Sequence, residues 1–473
     1  MAIDFKRQEY LKYLPQWQLI NAVTTLDGVE DHLITLNDFD KSAENTERNR
    51  KYKARAVAYP IAGHTLEGLV GLLFAKDPTI TLPPELEYLR DNADGAGVSL
   101  YQQAQDVASD VAGKGRGGLW TTFPEAPEGG ISQDDINRGL YVATIHEIEA
   151  ERIINWRTTT VGSSTFLSLV VFTESVEVVG EDGYSIEAVP QIRELALDDG
   201  VYTVRAWQKN AKTDKWEVIS ESIPADRAGK SLNRIPFSFV GARSNSAEID
   251  NPPMLALSKI NLAHFRNSAD FEDSCWFVGQ AQPWMSGITQ SHVDLMQKNN
   301  MYVGSRNTLG VPSGEQFGFA AAPPNPLVRQ AMLDKVEMMI GLGARFIQRT
   351  GTVKTATESE SDDRGAYCPL ALISGNISEA YAKAIEWAGL FMGSTGEVVF
   401  ELTKDFVSPN ATAQELQAMI AGFVQGAIPI GAYFAWLKRV GLEDDEKTIE
   451  QFAEEVGAST MPNLDAEQDS ATL

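Results

Sequence analysis

Gly113-Lys-Gly115-Arg-Gly-Gly118 has the spacing G-x-G-x-x-G, with which a strand-to-helix turn brings backbone amides to a pyrophosphate. That chemistry needs a strand before the glycines and a helix after them, so that helix N-terminal amides face the anion. Here the order is reversed: a helical pattern runs to about Ala112, and the aromatic, β-branched run Leu119–Phe123 follows. The segment reads as a helix-to-strand turn. Gly229-Lys230-Ser231 has the ending of a phosphate-binding loop, but the motif's first glycine falls at Pro224, which has no amide hydrogen to offer a phosphate. It reads as a surface turn. The histidines His32, His64, His146, His264 and His292 are dispersed, and His146-Glu147 lacks the second ligand of H-E-x-x-H. No G-x-S-x-G elbow is present. Asp362-Asp363 near Glu358 and Glu360 would suit a divalent ion or an acid–base pair, but carboxylates in a helix's first turn also complement its dipole. Cys275 and Cys368 form neither a disulfide framework nor a C-x-x-C pair, which fits a reducing compartment. The expectation is a protein with no catalytic residues, no cofactor and no metal.

The elements that would position these residues follow from periodicity. Residues 1–115 read as helical. Tyr10, Leu14, Trp17 and Ile20 give a three/four spacing that Pro15 interrupts. A helical zone from Thr46 to Ala75 should kink or break at Pro60. Asp94-Gly95-Ala96-Gly97 is a turn, and Ser99 caps the next helix. From Gly117 to Gly241 the pattern becomes that of strands (Leu119–Phe123, Tyr141–Ile145, Phe166–Thr173, Ile192–Leu197, Val201–Gln208, Trp216–Ile219, Ile235–Val240), with turns such as Asp182-Gly183 and Asp199-Gly200, so an antiparallel block is expected. A helix of about 22 residues, Met254 to Cys275, would span ~33 Å. Short strands and turns fill Trp276 to Pro324, and a second helix runs from Pro326 to Gln348. Thr355-Ala-Thr-Glu358 fits a capping box opening a helix with Leu370, Ile373, Ile377, Tyr381, Ala384, Trp387 and Phe391 on one face and a kink at Pro369. A strand at Glu397–Leu402 and two or three helices follow, with Gly426 inside a helical hairpin. Residues from about Ala458 to Leu473 read as a polar tail.

With 40 Lys+Arg against 65 Asp+Glu, the 473-residue chain carries a formal charge of −25, the wrong sign for a protein that grips nucleic acid by its phosphates. At 43% hydrophobic it has material for a large core, and its length suggests roughly three domains. The N-terminus has no apolar signal-peptide core, and no uncharged run approaches the ~20 residues of a membrane span. A soluble intracellular product with no membrane partner is expected.

The order of elements, with several local signatures, resembles the portal proteins of tailed bacteriophages. The signatures are Tyr59-Pro-Ile-Ala-Gly-His-Thr-Leu66 through Gly71-Leu-Leu-Phe-Ala-Lys-Asp-Pro78, Arg152-Ile-Ile-Asn-Trp-Arg157, Ile235-Pro-Phe237, Asn261-Leu-Ala-His264-Phe-Arg-Asn-Ser-Ala-Asp270, Leu309-Gly-Val-Pro-Ser-Gly314, and Thr355-Ala-Thr-Glu358 after Gly341-Leu-Gly-Ala-Arg345. The resemblance implies an α+β fold. Its parts would be an N-terminal wing region, helical then β-rich, over 1–253; a stem helix over 254–275; a small α/β clip over 276–325; and a second stem helix over 326–348. A tunnel loop over 349–354, a kinked wing helix and strand over 355–410, helical crown residues 411–457 and the tail 458–473 would complete it. The loop residues Arg349, Thr350, Gly351, Thr352, Val353 and Lys354 would face DNA, and Thr355 and Glu358 would cap the wing helix. Leu255, Leu262, Phe265, Met332, Val336, Met339 and Phe346 would pack the stem. The implied function is a structural subunit of a homo-oligomeric ring, commonly of twelve, at one capsid vertex, through which DNA is packaged and ejected. Its partners would be further copies of itself, double-stranded DNA in transit, the terminase large subunit, the head–tail adaptor, and the major capsid and scaffold proteins. It would reside in the virion, and in the host cytoplasm during assembly. The alternatives are a nucleotide-dependent enzyme built on the glycine-rich segments, or another phage neck or baseplate ring component.

Overall fold

The computed structural model describes residues 3–455 apart from 38, 126–133, 136–137, 181, 211, 280–281, 288, 299–315, 321–325, 347–367, 405–412 and 440–446. In chain order the described elements are α1 (Gln8–Thr25), α2 (Ala43–Arg55), α3 (Ile61–Leu73), β1 (Thr79–Thr81), α4 (Leu100–Lys114), β2 (Arg116–Thr122), β3 (Thr144–Glu149), β4 (Ile153–Val161), β5 (Ser164–Val179), β6 (Ile186–Asp198), β7 (Val201–Lys209), β8 (Trp216–Ser222), β9 (Phe237–Gly241), α5 (Leu255–Gly279), β10 (Gln282–Ser286), α6 (Gln290–Lys298), β11 (Gln316–Ala320), α7 (Pro326–Ala344), α8 (Pro369–Met392), β12 (Val399–Glu401), α9 (Ala413–Val424), α10 (Ile430–Arg439) and α11 (Ile449–Glu455). The fold is α+β. The chain forms two compact units, one of Met1–Asp27, Pro60–Lys259 and Met339–Leu473, the other of Gly28–Tyr59 and Ile260–Met338.

The first unit is built on α4 and β2. Ser99 caps α4 in a reciprocal box: its Oγ accepts from the Gln102 amide (3.1 Å), and Gln102 Oε1 accepts from the Ser99 amide (3.3 Å). Leu100, Ala104, Val107, Ala108 and Val111 recur at three/four spacing and are buried. The opposite face carries Gln102, Gln105, Asp106, Ser109 and Asp110. Gly115 ends the helix in the left-handed conformation (φ +74°), and the chain enters β2, the centre of an antiparallel sheet ordered β3–β2–β9. α8 packs over this sheet and α4. Thr121 Oγ1 donates to the Ala384 carbonyl (3.0 Å), and Tyr381 stacks on Phe400 of β12 with ring centroids 4.7 Å apart. β12 in turn pairs antiparallel with β1. A second sheet is a five-stranded antiparallel meander in the order β4–β5–β6–β7–β8, with Asp199 (φ +50°) and Gly200 (φ +83°) making the two-residue turn between β6 and β7. Trp120 Nε1 donates to Tyr202 Oη (3.0 Å), which ties the two sheets together inside the core.

In the second unit, residues from Gly28–Tyr59 are pinned to α5. Tyr52 Oη donates to Asp270 (2.7 Å), Arg55 pairs with Asp273 (2.7 Å) and lies over the Trp276 ring (4.0 Å), and Arg266 donates to the His32 carbonyl through two nitrogens. Asn261 Nδ2 donates to the Tyr59 carbonyl (2.9 Å). β10 and β11 form an antiparallel pair, and α6 lies between them in sequence.

Several expectations are corrected. Pro15 lies inside α1 without interrupting it; the helix keeps Tyr10, Trp17, Ile20 and Val23 buried, and that packing outweighs one lost backbone hydrogen bond. Pro369 opens α8 instead of kinking a helix, because Cys368 before it is extended (φ −70°, ψ 158°), the conformation a proline favours in its predecessor. The strand expected at Tyr141–Ile145 is β3, shifted to Thr144–Glu149. β4 had no expected counterpart: in its outer half Arg157–Thr160 are polar, only Thr159 is half-buried, and the apolar Val161 is exposed, so no period-two signal is present. The stretch expected to hold strands and turns also contains α6, and α5 runs four residues past Cys275 to Gly279. Pro60 does break the helical zone, into α2 and α3.

Candidate functional site

The expected tunnel-loop residues Arg349 to Lys354, the cap residues Thr355 and Glu358, and the acidic pair Asp362-Asp363 lie outside the described residues. Of the residues named for packing along the two long helices, Leu262, Phe265, Met339 and Phe346 are buried, while Leu255, Met332 and Val336 are half-buried.

The glycine-rich segment has a packing role at two positions. Gly115 is the left-handed cap of α4, and a side chain on Gly118 would overlap the Phe237 ring from the neighbouring strand. The amides therefore serve a helix-to-strand junction. Gly229-Lys230-Ser231 lies in the turn between β8 and β9, closed by a bridge between Ala225 and Ser231 and by Asp226, whose Oδ1 accepts from the Ala228 and Lys230 amides. His146 hydrogen-bonds Thr144 (2.9 Å), and burial lowers its pKa. Burial does the same to His264, helped by Lys335. Among the described residues no group of three His, Cys, Asp or Glu side chains is arranged to hold a metal ion.

Sequence reasoning missed two arrangements of charge. Arg116, at the start of β2, is 2% exposed. Its Nη1 points at the carbonyls of Ser246, Ala247 and Glu248 (3.4, 3.2 and 2.9 Å), and its guanidinium lies 3.6 Å from the centre of the Phe239 ring. Burial pulls its pKa down to about 9. It anchors the loop after β9.

The second arrangement is an acidic groove among α1, α3 and α4, about 710 Å³ in volume. Glu67 from α3 and Asp106 and Asp110 from α4 line it. Lys114, one turn beyond Asp110, also lines it, and its Nζ lies 2.9 Å from Asp110 Oδ1 and 2.9 Å from Glu151 Oε2. Glu151 also accepts from Asn21 Nδ2 of α1 (2.7 Å). Burial works against the Lys114 charge, but Asp110 and Glu151 outweigh it and raise the ammonium's pKa. Burial pushes Asp110 up to about 6 despite Lys114, and it raises Glu67 and Asp106 as well. Glu147 on β3 feels the same field: burial, with Asp110, Asp106 and Glu149 nearby, pushes it up to about 9. Asp110 Oδ2 is closed off from solvent and accepts no hydrogen bond from the described residues. The groove thus concentrates carboxylates with too few cations to balance them. Its sequence signal was Asp106 and Asp110 at i,i+4 on the polar face of a well-capped helix.

Residues 253–392 match the family model of a domain of unknown function, DUF4055. None of the curated proteins matches this chain. Among solved structures, it is similar to a chain in the virion of a native gene transfer agent particle, at 13% identity and a TM-score of 0.37, covering 86% of this chain and 92% of that one. It is also similar to a chain in the neck of the native particle computed with C12 symmetry (11% identity, TM-score 0.35, 84% and 89% covered) and to one in the neck of the empty particle computed with C6 symmetry (12%, 0.36, 84% and 90%). Among the described residues no helix is long and apolar enough to cross a membrane.

Proposed function

We propose that the chain is the repeating subunit of a portal ring, a structural conduit through which double-stranded DNA enters and leaves a phage-type particle. The observation that carries this reading is the pair of long helices, α5 and α7, bracketing the β10–α6–β11 insertion. Each begins in one compact unit and ends in the other. That is the helix–insertion–helix order of a stem and clip, and it occurs within the ordered series of portal-like signatures running from Tyr59 to Glu358. In this reading α5 and α7 are stem helices, residues 349–354 form a loop toward the channel, α8 belongs to the wing, and α9 to α11 belong to the crown.

The charge supports passage of DNA without capture. Each phosphate contact by a cation adds binding free energy and would act as a brake on a moving duplex. A wall rich in carboxylates repels the duplex and keeps it central, over a range of about 8–10 Å at physiological salt. Motion then comes from a partner ATPase, the terminase motor, and neck proteins take its place after packaging. An enzymatic reading built on the glycine-rich segments is disfavoured because Gly115 and Gly118 are committed to a helix cap and to packing under Phe237.

Negative-stain images of the purified full chain test the proposal. Rings with a central hole and a tapering, stemmed profile are expected. Persistent monomers that bind a nucleotide by calorimetry would overturn it in favour of an enzyme.

A further inference from the structure

The β5–β6 hairpin outruns its sheet. Pairing of β5 with β4 stops at Phe172, and pairing of β6 with β7 stops at Gln191, whereas β5 and β6 stay paired as far as Val179 with Ile186. The five pairs from Ser175 with Pro190 to Val179 with Ile186 form a two-stranded arm about 17 Å long, at ~3.3 Å per residue. Each of these residues is exposed except Val189, which is half-buried. Val176, Val178 and Val189 share one face, and Val179, Ile186 and Ala188 share the other, so neither face is simply polar. The tip is tightly closed: the Gly180 amide donates to the Ser185 carbonyl (2.8 Å), and Asp182 Oδ1 accepts from the Tyr184 and Ser185 amides (3.0 and 2.8 Å). Tyr184 stands out from that turn, 91% exposed. A lone two-stranded ribbon is marginal in water, and free apolar strand edges are sites of association, so this arm gains when a second surface covers it.

The same sheet carries a surface that fits. β8 is its far edge; among the described residues no strand pairs with its outer side, and Val218, Ile219 and Ile223 are exposed there. The turn into β8 brings Lys209, Lys212 and Lys215. Lys209 pairs with Asp214 (3.1 Å), while Lys212 and Lys215 are exposed and pair with no carboxylate among the described residues. The arm has the opposite charge: from Ser175 to Pro190 the sequence holds Glu177, Glu181, Asp182 and Glu187 and no lysine or arginine. Within one copy β7 stands between β6 and β8, so arm and edge can meet only between copies. We propose that the β5–β6 arm of one copy lies along the β8 edge of the next, with Glu177 and Glu187 facing Lys212 and Lys215. The inference rests on the ring reading above and assigns one of its subunit contacts. A ring closes through a head-to-tail contact between two different patches of each copy, and an acidic apolar arm with a basic apolar strand edge is such a pair.

The test uses the full chain and two charge-reversed variants, Glu177→Lys/Glu187→Lys on the arm and Lys212→Glu/Lys215→Glu at the edge. All four side chains are exposed, so the fold should survive, and circular dichroism checks that it does. Sedimentation over a concentration series should show association of each variant alone weakened by roughly tenfold or more. Mixing the two variants in equal amounts should restore it, because the basic arm of one then meets the acidic edge of the other at every contact. Normal assembly of either variant alone overturns the contact and leaves the arm to a different partner. Two weakened variants that stay apart when mixed overturn it as well. A wild-type chain that never assembles sinks the ring reading together with the arm, whereas wild-type rings with unaffected variants sink the arm contact alone.

Discussion

Glu147 shows how far a single side chain's chemistry depends on its surroundings. Its folded-state pKa is pushed up to about 9 from a reference of 4.5, first by burial and then by the carboxylates of Asp110, Asp106 and Glu149, with Lys114 opposing and the Tyr381 phenol among the groups it acts on. Between those values the folded chain holds a proton that the unfolded chain has released, so stability falls as pH rises through the window. Asp110 acts in the same sense between its reference of 3.8 and about 6. Glu147→Gln should therefore stabilise the chain by on the order of 1–2 kcal/mol near pH 8, with little effect near pH 5. Urea denaturation of wild type and variant at the two pH values measures this, and an equal effect at both would refute the assignment. None of this was visible in Glu147 as a letter beside His146. Nor was Arg116 readable as a buried anchor, because arginine is ordinarily exposed and the carbonyls that hold it come from residues 246–248, about 130 positions away.

At the scale of elements, the junction of α4 and β2 separates a structural glycine motif from a ligand-binding one. Gly118 leaves no room for a side chain beneath Phe237, whereas a methyl group on Gly113 would meet the Leu66 and Ile20 side chains at ordinary contact distances of 3.6 and 3.9 Å. Gly118→Ala should cost about 1–3 kcal/mol by overpacking, and Gly113→Ala should be neutral or stabilising by up to about 1 kcal/mol, since alanine favours a helix interior. Thermal melts of the two variants check the contrast; equal destabilisation would sink it. Elements with a strong local signal were legible: the Ser99 cap, the Asp199-Gly200 turn, the Pro60 break, and the 3.6-residue stripe Leu370, Ile373, Ile377, Tyr381 and Ala384. Prolines were harder, because a proline's effect depends on what packs around it. Pro15 sits in a helix held by Trp17, whose Nε1 donates to the Lys114 carbonyl (3.1 Å), and Pro369 occupies a first turn where a missing amide hydrogen costs nothing.

For the whole molecule, charge is the quantity that connects sequence to behaviour. Twelve copies at −25 each would carry about −300, so in the proposed ring the points of DNA contact must be local exceptions. Arg349 and Lys354, which bracket a stretch without acidic side chains, are the proposed exceptions. Reversing both, Arg349→Glu with Lys354→Glu, should leave ring assembly intact and reduce DNA packaging or retention. Particles of the double variant that contain genome of normal length would count against that role.

Composition, charge and hydrophobic period are properties of the chain as written, so the sequence by itself determined the α+β class, the acidity and the order of the longer elements. Tertiary structure decided what depends on distance in space. It set the pairing of β1 with β12, more than 300 residues apart, the burial of Arg116, and the gathering of Glu67, Asp106 and Asp110 around one groove. A side chain's pKa and partners are set by neighbours that folding brings within a few ångströms, and sequence separation carries almost no information about which neighbours those are.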